Sequence, residues 1–213
     1  MKTYQYILLD WDGNLAKTLD IWLDAFRSVL EVRGFHKSDE EIAATFGGFT
    51  RIVSGWGIDD VDVAMDEADR LAKQKLPQVA LYPDALEVLQ SLHLSGKELA
   101  LITSSSHENV QHLLHAHNIA DLFKVVIASD DIVNHKPHPE ALQKALDQLG
   151  GTKDQAIMIG DSDKDLGAAK NMGIDSILFY PAEHKKFYDF EKLKELRPTY
   201  VVEDFRKVVE IVG

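Results

Sequence analysis

Ile7-Leu8-Leu9-Asp10-Trp11-Asp12-Gly13-Asn14 is the stretch from which the rest of the chain is read. A run of bulky apolar residues stops at two aspartates spaced i and i+2, and a glycine follows. A short apolar run bounded by a turn signal is the pattern of a buried strand. Its acids then stand at the strand's C-terminal edge, where open α/β sheets bind their ligands. Two carboxylates there repel each other unless positive charge lies close by. A hard divalent cation such as Mg2+, which prefers oxygen ligands, is the expected resolution.

Downstream of this strand, Leu15, Leu19, Trp22, Leu23, Phe26 and Leu30 recur at helical spacing and predict one amphipathic helix ended by Gly34. Ser38 and Glu41 have the spacing of a capping box for a short second helix. Phe46-Gly47-Gly48-Phe49-Thr50-Arg51 reads as a flexible turn carrying a lone arginine. Val61, Ala64, Met65, Ala68, Leu71 and Ala72 mark a further helix. Residues 16–80 thus contain helices and glycine turns without a strand pattern, an all-helical insertion.

From Leu81 the pattern alternates. Strands are predicted over Glu98–Thr103, Val125–Ala128, Ala156–Gly160 and Ser176–Tyr180, with helical segments of 10–15 residues between them. Such alternation implies βαβ units and a parallel sheet. Thr199-Tyr200-Val201-Val202 is an edge-strand candidate before a last helix.

The strand ends are polar in a selective way. The second strand runs into Thr103-Ser104-Ser105-Ser106, whose hydroxyls suit a helix cap or a phosphate. The next junction is Asn134-His135-Lys136-Pro137, and the fourth is Gly160-Asp161-Ser162-Asp163-Lys164-Asp165. Singly, each has a capping or solvent-facing explanation. Acid pair, hydroxyl, lysine and second acid group in that order, each closing a different strand, point instead to one site. His112, His115 and His117 lie on a helix without a matching carboxylate pair and read as a polar face. Trp22 and Trp56, at helical spacing, read as core, with a cavity wall as the alternative.

Composition bounds the partners. The 213 residues are 45% apolar and 27% charged, enough for a substantial core, and the net charge of -12 argues against nucleic acid or an anionic membrane. Cysteine is absent and no apolar run approaches the roughly 18 residues of a spanning helix, so a cytoplasmic protein is expected.

The four strand ends together, Asp10-Trp11-Asp12-Gly13, Thr103, Lys136 and Gly160-Asp161-Ser162-x-x-Asp165, resemble the motifs of the haloacid dehalogenase superfamily of phosphohydrolases. Tyr82-Pro83, Lys136-Pro137-His138-Pro139-Glu140 and Ala168-Ala169 to Gly173 are similar to its phosphoglycolate phosphatase and β-phosphoglucomutase branch. The resemblance implies a Rossmann-like α/β/α core of residues 1–15 and 81–213, with a helical cap at 16–80 over the strand ends. It implies Asp10 as nucleophile and Asp12 as acid and base, with Thr103, Lys136 and Ser104 on the phosphoryl oxygens. Mg2+ would be held by Asp10, Asp161 and the backbone carbonyl of Asp12, with Asp165 reaching the ion through water or orienting Lys136. Arg51, in the 47–51 turn, is the candidate for contacting an anionic group of a small phosphorylated substrate. A Mg2+-dependent phosphatase acting through an aspartyl-phosphate is the expectation; a phosphosugar mutase or an idle interaction protein are the alternatives. Asp12 speaks against dehalogenation, because a halide needs no proton donor. One departure is Asn14, where the family usually has threonine.

Overall fold

The computed structural model describes residues 2–46 and 48–213. Its centre is a parallel sheet of six strands in the order β3-β2-β1-β4-β5-β6. These are β1 (Tyr6–Leu9), β2 (Glu98–Ile102), β3 (Val125–Ile127), β4 (Ala156–Gly160), β5 (Asp175–Phe179) and β6 (Tyr200–Val202). β1 lies between β2 and β4, with Leu9 level with Leu101 on one side and Ile159 on the other. The chain builds outward from β1 to β3, then returns to the opposite side of β1. That reversal makes the C-terminal end of β1 and β4 the switch point at which such sheets form a crevice.

Side-chain alternation explains the layers. Ile7 and Leu9, Leu99 and Leu101, and Ile157 and Ile159 point into one buried cluster. Leu8, Ala100, Ile102 and Met158 point into another. Successive strand residues face opposite sides of the sheet, and burial on both sides gives the near-continuous apolar runs of the sequence. On the first face lie α5 (Ala85–Leu94), α6 (His107–Ala116) and α10 (Arg206–Val212), through residues such as Leu89, Val110 and Val208. On the second lie α7 (Glu140–Leu149) and α8 (Asp163–Met172), through Leu142, Ala145 and Ala168. A short helix, α9 (Phe190–Glu195), packs Leu193 with Leu166 and Leu178.

Between β1 and α5 the ordered elements are helical: α1 (Leu19–Val32), α2 (Asp39–Ala43), α3 (Phe49–Ser54) and α4 (Val61–Lys75). Ser38 and Glu41 form the expected reciprocal capping box. Phe26 stacks on Phe49 with ring centroids 4.1 Å apart, which ties α1 to α3. This segment leaves and rejoins the sheet at one place, where Lys17 N–H donates to Ala80 O and Tyr82 N–H to Leu15 O, both at 2.9 Å.

Two expectations are corrected. The first helix begins at Leu19, not Leu15, because Trp11 O accepts from the N–H groups of Leu15 and Ala16, holding them in a turn. Leu15 keeps helical spacing only by coincidence and is fully buried under that turn. Thr50 and Arg51 are the first turn of α3, with Gly48 at its N-cap; Gly47 lies outside the described residues.

His184 is fully buried after β5, where the Tyr82 hydroxyl and its Nε2 are hydrogen-bonded at 2.7 Å. Burial lowers its pKa to about 4. The unfolded chain, with an ordinary histidine near pH 6.5, then binds more protons than the folded one as pH falls, so stability is lost on acidification. Between about pH 7 and about pH 5 this single group costs about 2 kcal/mol. Urea denaturation of the wild type and His184→Gln at both pH values is expected to show that extra slope in the wild type only.

Candidate active site

Asp10 directly follows β1, and its N–H donates to Ile159 O of the neighbouring β4 at 3.0 Å. Adjacent parallel strands ending in register therefore bring Asp10 beside Asp161, the residue after Gly160. Beyond Asp161, Ser162 caps α8 and Asp165 completes its capping box, accepting from the Ser162 backbone at 3.2 Å and its hydroxyl at 2.5 Å. Capping thus fixes one oxygen of Asp165 and leaves the other facing the sheet edge.

Lys136 fills the space between the acids. Its Nζ donates to Asp10 Oδ1 at 2.7 Å, to Asp165 Oδ1 at 2.6 Å and to Ile102 O at 3.2 Å. All three side chains are buried. Burial alone would lower the Lys136 pKa, but Asp10 and Asp165 overcome it and hold the ammonium above the usual lysine range. Asp10 is pushed up to about 8 by burial and by Asp165, with Lys136 opposing. Asp161 is raised well above the usual carboxylate range by burial, then by Asp165 and Asp10.

One ammonium cannot neutralise this group. Asp10, Asp161 and Asp165 each offer a ligand oxygen within 4.8 Å of the others, and Asp161 Oδ2 is buried without a hydrogen-bond partner. An orphaned carboxylate oxygen in an all-oxygen donor set fits a hard divalent cation. Space for it is kept by Gly13: at φ +75° a Cβ there would lie 2.2 Å from Asp161 Oδ2. Asp12 stands outside that set. Its Oδ1 accepts from Trp22 Nε1 and its Oδ2 from Ser105 Oγ, each at 3.2 Å. The charge beside Asp10 therefore comes from Lys136 of the chain itself, and the side chains of Asp10 and Asp12 take different partners. Asn14 donates to Asp10 O at 3.0 Å, supporting the turn that presents both acids.

A cavity of about 330 Å³ opens over this group and includes Asp10, Asp12, Ser104, Lys136 and Asp161. Thr103 is buried at the end of β2, its Oγ1 accepting from Ser105 N–H at 3.0 Å. Arg51 is not brought here: it is exposed on α3 and is no part of the cavity wall. Of the tryptophans, Trp22 lines the cavity, while Trp56 packs elsewhere with Lys37 over its ring. His112 and His115 are exposed and, among the described residues, join no ligand cluster. Ser105, Tyr188 and the donor role of Trp22 were not read from the sequence. Tyr188 comes from the segment after β5 and lines the cavity beside Asp161, a position that no local motif announces.

The profile of haloacid dehalogenase-like hydrolases matches residues 7–179. The chain belongs to this family. As a haloacid dehalogenase-like hydrolase it has relatives over most of its length. Pyrophosphatase PpaX of Halalkalibacterium halodurans is 26% identical over 97% of this chain and 96% of its own. Phosphoglycolate phosphatase of Aliivibrio fischeri is 35% identical over 62% of this chain and 57% of its own. The crystal structure of CbbY from Rhodobacter sphaeroides, in complex with phosphate, shares the fold with a TM-score of 0.80 at 22% identity, covering 97% of this chain and 96% of that one.

Removing Lys136 leaves two acids buried without their counter-charge. Lys136→Met is expected to cost about 3–5 kcal/mol in chelator. The double variant with Asp10→Asn should lose less than the sum of the single changes, because one uncompensated charge has gone. Denaturant titration of the four proteins checks both statements.

Proposed function

We propose that the chain is a Mg2+-dependent phosphatase hydrolysing a small phosphate monoester, phosphoglycolate- or sugar-phosphate-like, through an aspartyl-phosphate on Asp10. The observation that carries the reading is the Asp10–Lys136–Asp165 arrangement beside Asp161, whose buried Oδ2 has no hydrogen-bond partner among the described residues. Family membership and relatives named as phosphatases support it. In this reading residues 1–15 and 81–213 are the catalytic core and 16–80 a cap over the strand ends. No helix among the described residues is long and apolar enough to cross a membrane, and we place the protein in the cytoplasm.

Mg2+ would be held by Asp10, Asp161 and the Asp12 backbone carbonyl, and when bound supplies positive charge against the phosphoryl oxygens. Asp10 attacks phosphorus; the bond from phosphorus to the ester oxygen breaks, and its electron pair stays on that oxygen. Asp12, steadied by Trp22 and Ser105, gives the leaving oxygen its proton. In the second half Asp12 takes a proton from water, which attacks phosphorus and releases Asp10. Splitting the displacement this way replaces one hard step by two easier ones. Lys136, Thr103 and the backbone near Ser104 would neutralise the transferring group, and such positioning contributes most where the transition state is loose. Asp165 holds Lys136 in place for that duty.

The two carboxylates differ in environment as their duties require. Asp10 is buried against Lys136, whereas Asp12 is partly exposed between two neutral donors. Asp10→Asn is expected to abolish phosphate release from a chromogenic aryl phosphate. Asp12→Asn should slow release by about 10²–10⁴-fold. EDTA should stop turnover and Mg2+ restore it. Full activity of Asp10→Asn would remove the nucleophile assignment, and full activity in chelator the metal.

A further inference from the structure

The cavity reaches from the buried acids to the helical segment, and the two walls differ in chemistry. The helical side is formed by Leu19, Trp22, Phe26, Phe46, Met65 and Asp69. Among the described residues, Asp69 on α4 is the sole ionisable side chain that this segment turns to the cavity. It is half-buried, burial raises its pKa, and Lys73 one turn away acts on it only through space. A carboxylate in an apolar wall without a donor is unfavourable until something bound there supplies one.

The lining lysines stand on the opposite wall. Lys136 is committed to Asp10 and Asp165, and Lys164, in the first turn of α8, has Asp163 at 3.4 Å. Arg51, which the sequence suggested for an anionic group of the substrate, is exposed outside the cavity. Among the described residues no cation of the helical segment lines the cavity, so a second anionic group on a leaving alcohol that extends to that wall would meet apolar side chains and Asp69.

We propose that this wall selects esters whose alcohol has an apolar body and a hydrogen-bond-donating or cationic far end, and rejects those with a carboxylate or a second phosphate, with Asp69 as the discriminating residue. The inference rests on the phosphatase reading and narrows it. An alcohol with an apolar body ending in a hydroxyl or an amine suits this wall; the carboxylate of phosphoglycolate does not.

The test uses three matched esters with Mg2+ present: 4-(aminomethyl)phenyl, 4-methylphenyl and 4-(carboxymethyl)phenyl phosphate. The methylene keeps the charge from altering the leaving oxygen strongly, so the series isolates the far end. kcat/KM for phosphate release is expected to be about tenfold higher for the amine than for the carboxylate, with the 4-methylphenyl ester between. Asp69→Asn should bring that ratio towards one, and Asp69→Lys should invert it. Each ratio is taken within one preparation, so a partly folded variant does not distort it. Equal values across the series, or a preference for the carboxylate, overturn the inference while the phosphatase reading stands. A ratio untouched by Asp69→Asn overturns the role of Asp69. Release from none of the three overturns the phosphatase reading and this inference with it.

Discussion

The rest of the site depends on one buried ammonium shared by two carboxylates that come from different strand ends. Lys136 reaches Asp10 and Asp165 at 2.7 and 2.6 Å in a place with almost no solvent. Breaking such a contact is far costlier than its net contribution to folding, because the charge left behind stays desolvated. The arrangement therefore fixes geometry more than it adds stability. It holds the loop carrying Lys136, the end of β1 and the first turn of α8 in a single relative placement.

That placement is a product of sheet topology. Asp10 and Asp161 meet because β1 and β4 are hydrogen-bonded neighbours that end in register, although some 150 residues separate them. α8 contributes twice over: its capping box orients Asp165, and its N-terminus carries partial positive charge into an acidic site. The electrostatics are deliberately incomplete. Asp161 keeps an oxygen with no partner, and the glycine at position 13 keeps the adjoining space free of a side chain.

Much of this was legible in the chain. Asp10 and Asp161 each close a continuous apolar run, so strand position and chemistry are read from the same few letters; Lys136 and Asp165 stand in the loop after β3 and the first turn of α8. The alternation after Leu81 gave the parallel sheet for the same reason, since strands buried on both faces must be apolar throughout. What was not legible depends on contacts distant in sequence. Trp22 looks like an ordinary apolar helix position until α1 is laid beside Asp12. Ser105 is one of three consecutive serines, and which of them turns to Asp12 is a matter of loop path. Arg51 drew notice as a lone cation after two glycines, but α3 turns it outward. Asp69, one acid among many on a polar helix, gains meaning only from the aromatic wall around it.

The helical segment departs and returns at a single pair of neighbouring backbones, Leu15 to Lys17 against Ala80 to Tyr82. A closed loop anchored at so narrow a neck can lengthen at little entropic cost, since that cost grows only slowly with loop length. Among the described residues, the acids at the strand ends take one side-chain hydrogen bond from what hangs from the neck, that of Trp22 to Asp12. Diversification can then act on the appended helices as on an interchangeable fitting, so long as a donor such as Trp22 is kept beside Asp12.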